Sequence, residues 1–244
     1  KEAGDSVLGS VLSIGNAGAS AVGQQAAPTT PKENSTEQTD PNIKAQQEVQ
    51  RTELKKMSAQ VRQLASKLGQ AALNKIQVGQ KQTLSSVDSS GKGAEMELSK
   101  VSGADARTAG ISTGTLKVPS TALSSVSTGR RLTASGCNDL SVQTTDWLQS
   151  NPYSWADSLL GSNAYVAPNA DVTVVDLRQC SQPLILTGLG DPLRIGIRLP
   201  QANAAPPGFT RVPYCAAWNS TTLAWTTDGI QLEEPVNMSA PKCL

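Results

Sequence analysis

The chain has 244 residues, 38% apolar, 3% aromatic and 17% charged, long enough for one or two domains with a real core, and it contains 4 cysteines and no histidine. Lys plus Arg number 21 against 20 for Asp plus Glu, and this balance gives no electrostatic case for nucleic acid or a membrane surface as partner. Without histidine there is no Ser-His-Asp triad, no Cys-His dyad and no histidine-ligated zinc or haem within the chain, and so few aromatics make a poor base-stacking platform.

The sequence opens Lys1-Glu2-Ala3 with neither Met nor an apolar signal core and closes at Cys243-Leu244, which reads as a segment of a longer chain. Apolar positions Val7, Leu8, Val11, Leu12 and Ile14 predict a short helix that glycines at 4, 9, 15 and 18 weaken. The stretch Val7 to Val22 is too interrupted by Gly, Ser and Asn to cross a membrane. Gln24 to Asp40, with Pro28 and Pro31, reads as a linker, so 1–40 form a lead-in. The clearest helix lies in 41–78. Leu54, Met57, Val61, Leu64, Leu68 and Ala71 are spaced 3, 4, 3, 4, 3, with Asp40 as N-cap, Pro41 at the first helical position and Gly79 as the stop. One face buried on its own domain is expected here, rather than a coiled coil.

Beyond Gly79 the period changes to two. Leu193, Ile195, Ile197 and Leu199 alternate with Arg194, Gly196 and Arg198 before Pro200. Further strands are expected at Leu116–Val118, Val172–Leu177, Leu184–Thr187, Leu223–Trp225 and Ile230–Leu232. A helical excursion is expected at Asp146 to Leu160, around Trp147, Leu148, Trp155, Leu159 and Leu160. No crossover-length helix separates the strands, so residues 79–244 are expected to form an antiparallel sandwich. The predicted class is α+β, mainly β, with a helical N-terminal subdomain. Arg130-Arg131 reads as a charged turn, Pro28-Thr29-Thr30-Pro31 as a spacer, and Gly188-Leu189-Gly190 lacks the context of a nucleotide site. Glu233 and Glu234 near Asp228 read as a solvated strand edge, since the spacing of a calcium loop is missing. No metal or cofactor is expected.

Cys137, Cys180, Cys215 and Cys243 form no C-x-x-C motif, so disulfides are the default, with three connectivities open. Sequential pairing closes loops of about 43 and 28 residues, each stabilising by roughly 3.5 to 4 kcal/mol in the chain-entropy model. Three N-glycosylation sequons, at Asn34, Asn219 and Asn237, agree with the even cysteine count in pointing outside the cell.

Residues 215–244 begin Cys215-Ala216-Ala217-Trp218-Asn219, continue through Trp225, Gly229 and Leu232-Glu233-Glu234, and end in Cys243-Leu244. This pattern resembles the GPS motif that closes the GAIN domain of adhesion receptors and receptor-like polycystins. Ile230 stands where adhesion receptors carry a cysteine after the glycine, and the reduced form resembles the polycystin branch. The last 50 residues match specifically; 41–190 are compatible. The resemblance implies Trp218 and Trp225 as apolar anchors on paired strands, Gly229 as a further motif-core residue, and a Cys215–Cys243 bond fastening the final strand. The family's self-cleavage needs a His-Leu-Ser/Thr that this sequence does not contain.

The resemblance implies a non-catalytic extracellular segment of a polycystin-like membrane protein, at a cell surface and by likeness a ciliary one. It would link an ectodomain to a membrane region for adhesion or mechanosensing. The expected partners are the rest of the parent protein and a channel or surface-fibre chain; nucleic acid and direct membrane contact by this segment are not expected. Two alternatives stand beside this reading. One is a structural subunit of an extracellular fibre or appendage; the other is a self-cleaving domain, should His-Leu-Ser/Thr follow Leu244.

Overall fold

The structure, a computed structural model, describes residue 10, residues 41–124, 138–156, 166, 170–180, 182–184, 186, 189–198, 214–234, 236 and 241–244. The expected linker with Pro28 and Pro31, the Asp40 cap, Asn34, Arg130-Arg131, Cys137, Gly188, Leu199-Pro200 and Asn237 lie outside the described residues. So does the expected helix near the N-terminus, apart from Ser10, which is helical.

The fold is α+β and mainly β: one long helix followed by antiparallel sheets. Helix α1 (Pro41–Leu73) precedes β1 (Lys81–Val87), β2 (Gly93–Ser102), α2 (Gly103–Ala109), β3 (Ile111–Ser112), β4 (Leu116–Val118) and α3 (Ser120–Ser124). Then come β5 (Asp139–Leu148), β6 (Val172–Gln179), β7 (Gln182–Pro183), β8 (Arg194–Gly196), β9 (Ala217–Asn219), β10 (Ala224–Thr226) and β11 (Lys242–Cys243). Three sheets result, ordered β1-β2-β5-β6-β7, β11-β8-β4-β3 and β10-β9, all antiparallel.

The five-stranded sheet has a core on each face. On one face Leu84, Ala94, Met96, Leu98, Trp147 and Val172 meet Val61, Ala65 and Leu73 of α1. On the other, Leu140, Val142 and Leu177 meet Ile111, Leu116 and Val118 of the second sheet and Ala122 and Leu123 of α3. The period of two along each strand divides its side chains between these cores. Helix α2 is capped by Ser102, whose hydroxyl accepts from Asp105 N at 3.0 Å, and it ends at Gly110.

Four expectations need correction. First, α1 stops at Leu73, six residues before Gly79, which instead turns the chain toward β1 at φ 85° and donates its N–H to Lys100 O at 2.7 Å. Second, the buried stripe runs through Val61, Ala65 and Leu73, while Leu64 is 44% exposed and Ala71 is exposed. A strict 3,4 repeat drifts by about 20° per heptad on a straight helix, which carries these two positions off the buried face. Third, Asp146–Leu148 end strand β5 rather than open a helix, and Pro152–Trp155 form a turn. Trp147 pairs with Ala94 on one side and Val172 on the other, and two-sided pairing outweighs local preference. Leu159 and Leu160 lie outside the described residues. Fourth, among the described residues three expected strands differ: of 193–198 only Arg194–Gly196 is a ladder, Gln182–Pro183 is the ladder before Leu184, whose N–H donates to Leu177 O at 2.8 Å, and Ile230–Leu232 is reduced to a single bridge between Leu232 and Cys243.

At Gly69 of α1 the helix approaches β5 so closely that an added Cβ would sit 2.1 Å from Gln143 Oε1. The missing side chain is what admits the Gln143 carboxamide, and Gln143 is 4% exposed beneath the helix.

Candidate functional site

The C-terminal motif folds as a hairpin and a final strand joined by a disulfide. In the hairpin, Trp218 of β9 and Trp225 of β10 are directly paired, with ring centroids 5.6 Å apart at 75°. Both rings pack into the helix-side core. Tyr153 stacks on Trp218 at 4.5 Å and meets Trp225 edge-on at 5.4 Å, while Trp155 meets Trp218 edge-on at 5.4 Å. Offset and edge-to-face contacts of this kind contribute about 0.5 to 1.5 kcal/mol per pair beyond burial.

Helix α1 holds the segment that supplies Tyr153 and Trp155. Arg51 Nε donates to Trp155 O at 3.0 Å, Ser58 donates its hydroxyl proton to Pro152 O, and Asn151 Oδ1 accepts from Tyr153 N at 2.8 Å. The Arg62 guanidinium lies 4.4 Å from the Tyr153 ring and Lys55 Nζ lies 5.4 Å from the Trp155 ring. The basic residues on this flank of the helix therefore fasten an aromatic segment.

The hairpin is closed by Ser220–Leu223. Asn219 Oδ1 accepts from Thr221 N at 2.9 Å and Thr222 N at 3.1 Å, the side-chain-capped turn that asparagine favours. Leu223 completes the loop at φ 55°, a left-handed position that an L side chain occupies at a cost of about 1 to 2 kcal/mol. Past the hairpin, Gly229 turns the chain at φ 71°, with Ile230 N donating to Thr227 O at 3.2 Å.

Cys215 and Cys243 are bonded, 5.8 Å apart at Cα. Cys180 is also disulfide-bonded; Cys137, its partner under sequential pairing, lies outside the described residues. Strand β11 has neighbours on both sides. Cys243 pairs with Ile195 of β8, and Gln231 and Leu244 exchange both backbone hydrogen bonds, at 2.8 and 3.3 Å. The disulfide thus joins a hairpin rooted in the helix-side core to a strand of the second sheet, whose Ile195 packs on the opposite core.

Glu233 completes this junction rather than standing as a solvated acid. It accepts from Arg194 Nε at 2.8 Å and lies 3.6 Å from Lys242 Nζ. The hydrogen bond from Arg194 is the largest cause and, with the Lys242 and Arg194 charges, holds its carboxyl below the usual glutamate range against the opposing effect of desolvation. On β5, burial raises Asp146 above the usual aspartate range, although Thr173 donates to it at 2.6 Å. Among the described residues no group of three or more His, Cys, Asp or Glu side chains is placed to hold a metal ion.

Of the residues singled out in the sequence, the structure brings together Cys215, Trp218, Trp225 and Cys243, with Gly229 and Asn219 at the turns. Tyr153, Arg51, Lys55, Arg62 and Arg194 join this site without a sequence signal; Trp155 carried only the cue of a scarce aromatic. No protein-family model matches the chain, and no curated protein matches it.

Proposed function

We propose that this chain is a GAIN-like extracellular domain ending in a reduced GPS motif, of the kind seen in receptor-like polycystins. Its role is non-catalytic: it links an ectodomain to a membrane region, for adhesion or force sensing at a cell surface, by resemblance a ciliary one. The carrying observation is the closed Cys215–Cys243 loop around the paired Trp218 and Trp225, with the last strand gripped on both sides. A tether needs a terminal strand that does not peel away. Two-sided pairing and a covalent bond to a large aromatic anchor supply that. No helix among the described residues is long and apolar enough to cross a membrane.

The test is the gene downstream of Leu244 together with surface labelling of its full product in intact cells. A membrane-spanning segment after residue 244 and labelling without permeabilisation are expected. A cytosolic product, or a secreted product with no span that polymerises, contradicts the reading. A His-Leu-Ser/Thr immediately after this segment, with two fragments on a denaturing gel, would replace the non-catalytic role with self-cleavage.

A further inference from the structure

We propose that Asn219 at the hairpin tip is an N-glycan acceptor. The inference rests on the extracellular reading above and goes beyond it, because it selects the modified atom.

Asn219-Ser220-Thr221 satisfies the acceptor pattern. The geometry adds what the pattern leaves out. Trp218 faces the aromatic core, and alternation along β9 turns Asn219 to the other side. Its Oδ1 is fixed by Thr221 N and Thr222 N at 2.9 and 3.1 Å, while its Nδ2 has no hydrogen-bond partner among the described residues. Ser220, Thr221 and Thr222 are exposed, and beside them Leu223 is 43% exposed. Asn219 itself is half-buried and lies at the end of β9, directly before these exposed residues.

The donor is an oligosaccharide carried on a lipid pyrophosphate. Asn219 Nδ2 attacks the anomeric carbon of its first sugar and forms the C–N bond. The C–O bond to the pyrophosphate breaks, its electron pair leaves with the lipid pyrophosphate, and the amide proton passes to a base of the transferase.

The test is secretion of the chain from a cell line with N-glycosylation, followed by enzymatic deglycosylation in heavy-oxygen water and peptide mass mapping. Asn219 is expected as labelled aspartate in the major form. Thr221→Ser is expected to keep the label. Thr221→Val is expected to abolish it, while retaining the backbone N–H that caps the turn and matching the melting temperature of the deglycosylated parent. Secreted chain with an intact Cys215–Cys243 bond and unlabelled Asn219 overturns the proposal and leaves the extracellular reading standing, whether or not Asn34 or Asn237 is labelled. Chain retained in the cell, reduced and unlabelled at all three sequons, overturns both. Label surviving in Thr221→Val also overturns the proposed site.

Discussion

The two cores of this domain are built from different materials. The helix-side core gathers all four tryptophans of the chain, at 147, 155, 218 and 225, together with Tyr153. The sandwich-side core is aliphatic, with Ile111, Leu116, Val118, Leu123, Leu140, Val142 and Leu177 as its larger members. Long elements, α1, β2 and β5, frame the first; strands of two or three residues and two short helices close the second. A few large rings can root a three-residue hairpin that backbone pairing alone would not hold, because an isolated two-stranded hairpin is marginal in water. Short aliphatic strands instead depend on being joined to something firm. The Cys215–Cys243 bond makes that connection from one core to the other.

The comparison can be broken at several points, and the largest effect is expected at the rings. Trp147 is 2% exposed, and Trp147→Ala is expected to lose about 3 to 5 kcal/mol in denaturant unfolding, with loss of the near-ultraviolet aromatic dichroism. Leu116→Ala, at 1% exposure in the aliphatic core, is expected to destabilise by about 2 to 5 kcal/mol while leaving that signal in the folded state.

Next in size is the clasp. Replacing Cys215 and Cys243 together by serine releases a 28-residue span and is expected to cost about 3.5 kcal/mol. Hydrogen exchange should rise first at Leu244 and Gln231, whose amides then depend on strand pairing alone. Unchanged exchange there would show that the two cores are firm without the covalent link.

Smaller effects sharpen the account of each layer. Gly69→Ala sets a helix-propensity gain of about 1 kcal/mol against displacement of the Gln143 carboxamide, the far end of a flexible side chain, so its net effect is expected within about 1 kcal/mol and should turn more favourable in a Gln143→Ala background. Leu223→Gly is expected to gain about 1 kcal/mol by relieving the left-handed backbone, read as a higher melting temperature.

The smallest expected effect depends on pH. Burial raises Asp146, so the folded state binds its proton more tightly than the unfolded chain, and stability from this group falls as pH climbs from the unfolded value of 3.8 through the raised folded value. Asp146→Asn is therefore expected to help at pH 7 and to change nothing at pH 3, where both states are protonated. Glu233→Gln should show the opposite sign: its lowered carboxyl contributes above the unfolded value and loses that contribution as pH falls through the folded one.

The ends of the fold were more legible in the sequence than its middle. The amphipathic face of α1 was readable, apart from the drift that exposes Leu64 and Ala71. The C-terminal hairpin and its disulfide were readable because tryptophan and cysteine are scarce types in this chain and cluster there. Strands β2 and β5 were not, whereas the strands at Leu116–Val118 and Val172–Leu177 were. Ala94-Glu95-Met96-Glu97-Leu98 has the composition of a helix, yet it pairs with β1 and β5 along its length. Strand β5 buries Gln143, Thr144 and Thr145 between two covered faces, so the usual alternation of apolar and polar residues is lost. The contribution of Tyr153 and Trp155 was hidden for another reason: they sit in a turn more than sixty residues from the hairpin they support, and only tertiary packing joins them.

The central claim is that one covalent bond clasps the aromatic hairpin to the final strand. Peptide mapping of the non-reduced protein tests it most directly. The account predicts a peptide pair containing Cys215 joined to Cys243 and none joining either residue to Cys137 or Cys180. A Cys137–Cys243 link would contradict the clasp, and with it the resemblance on which the functional reading stands.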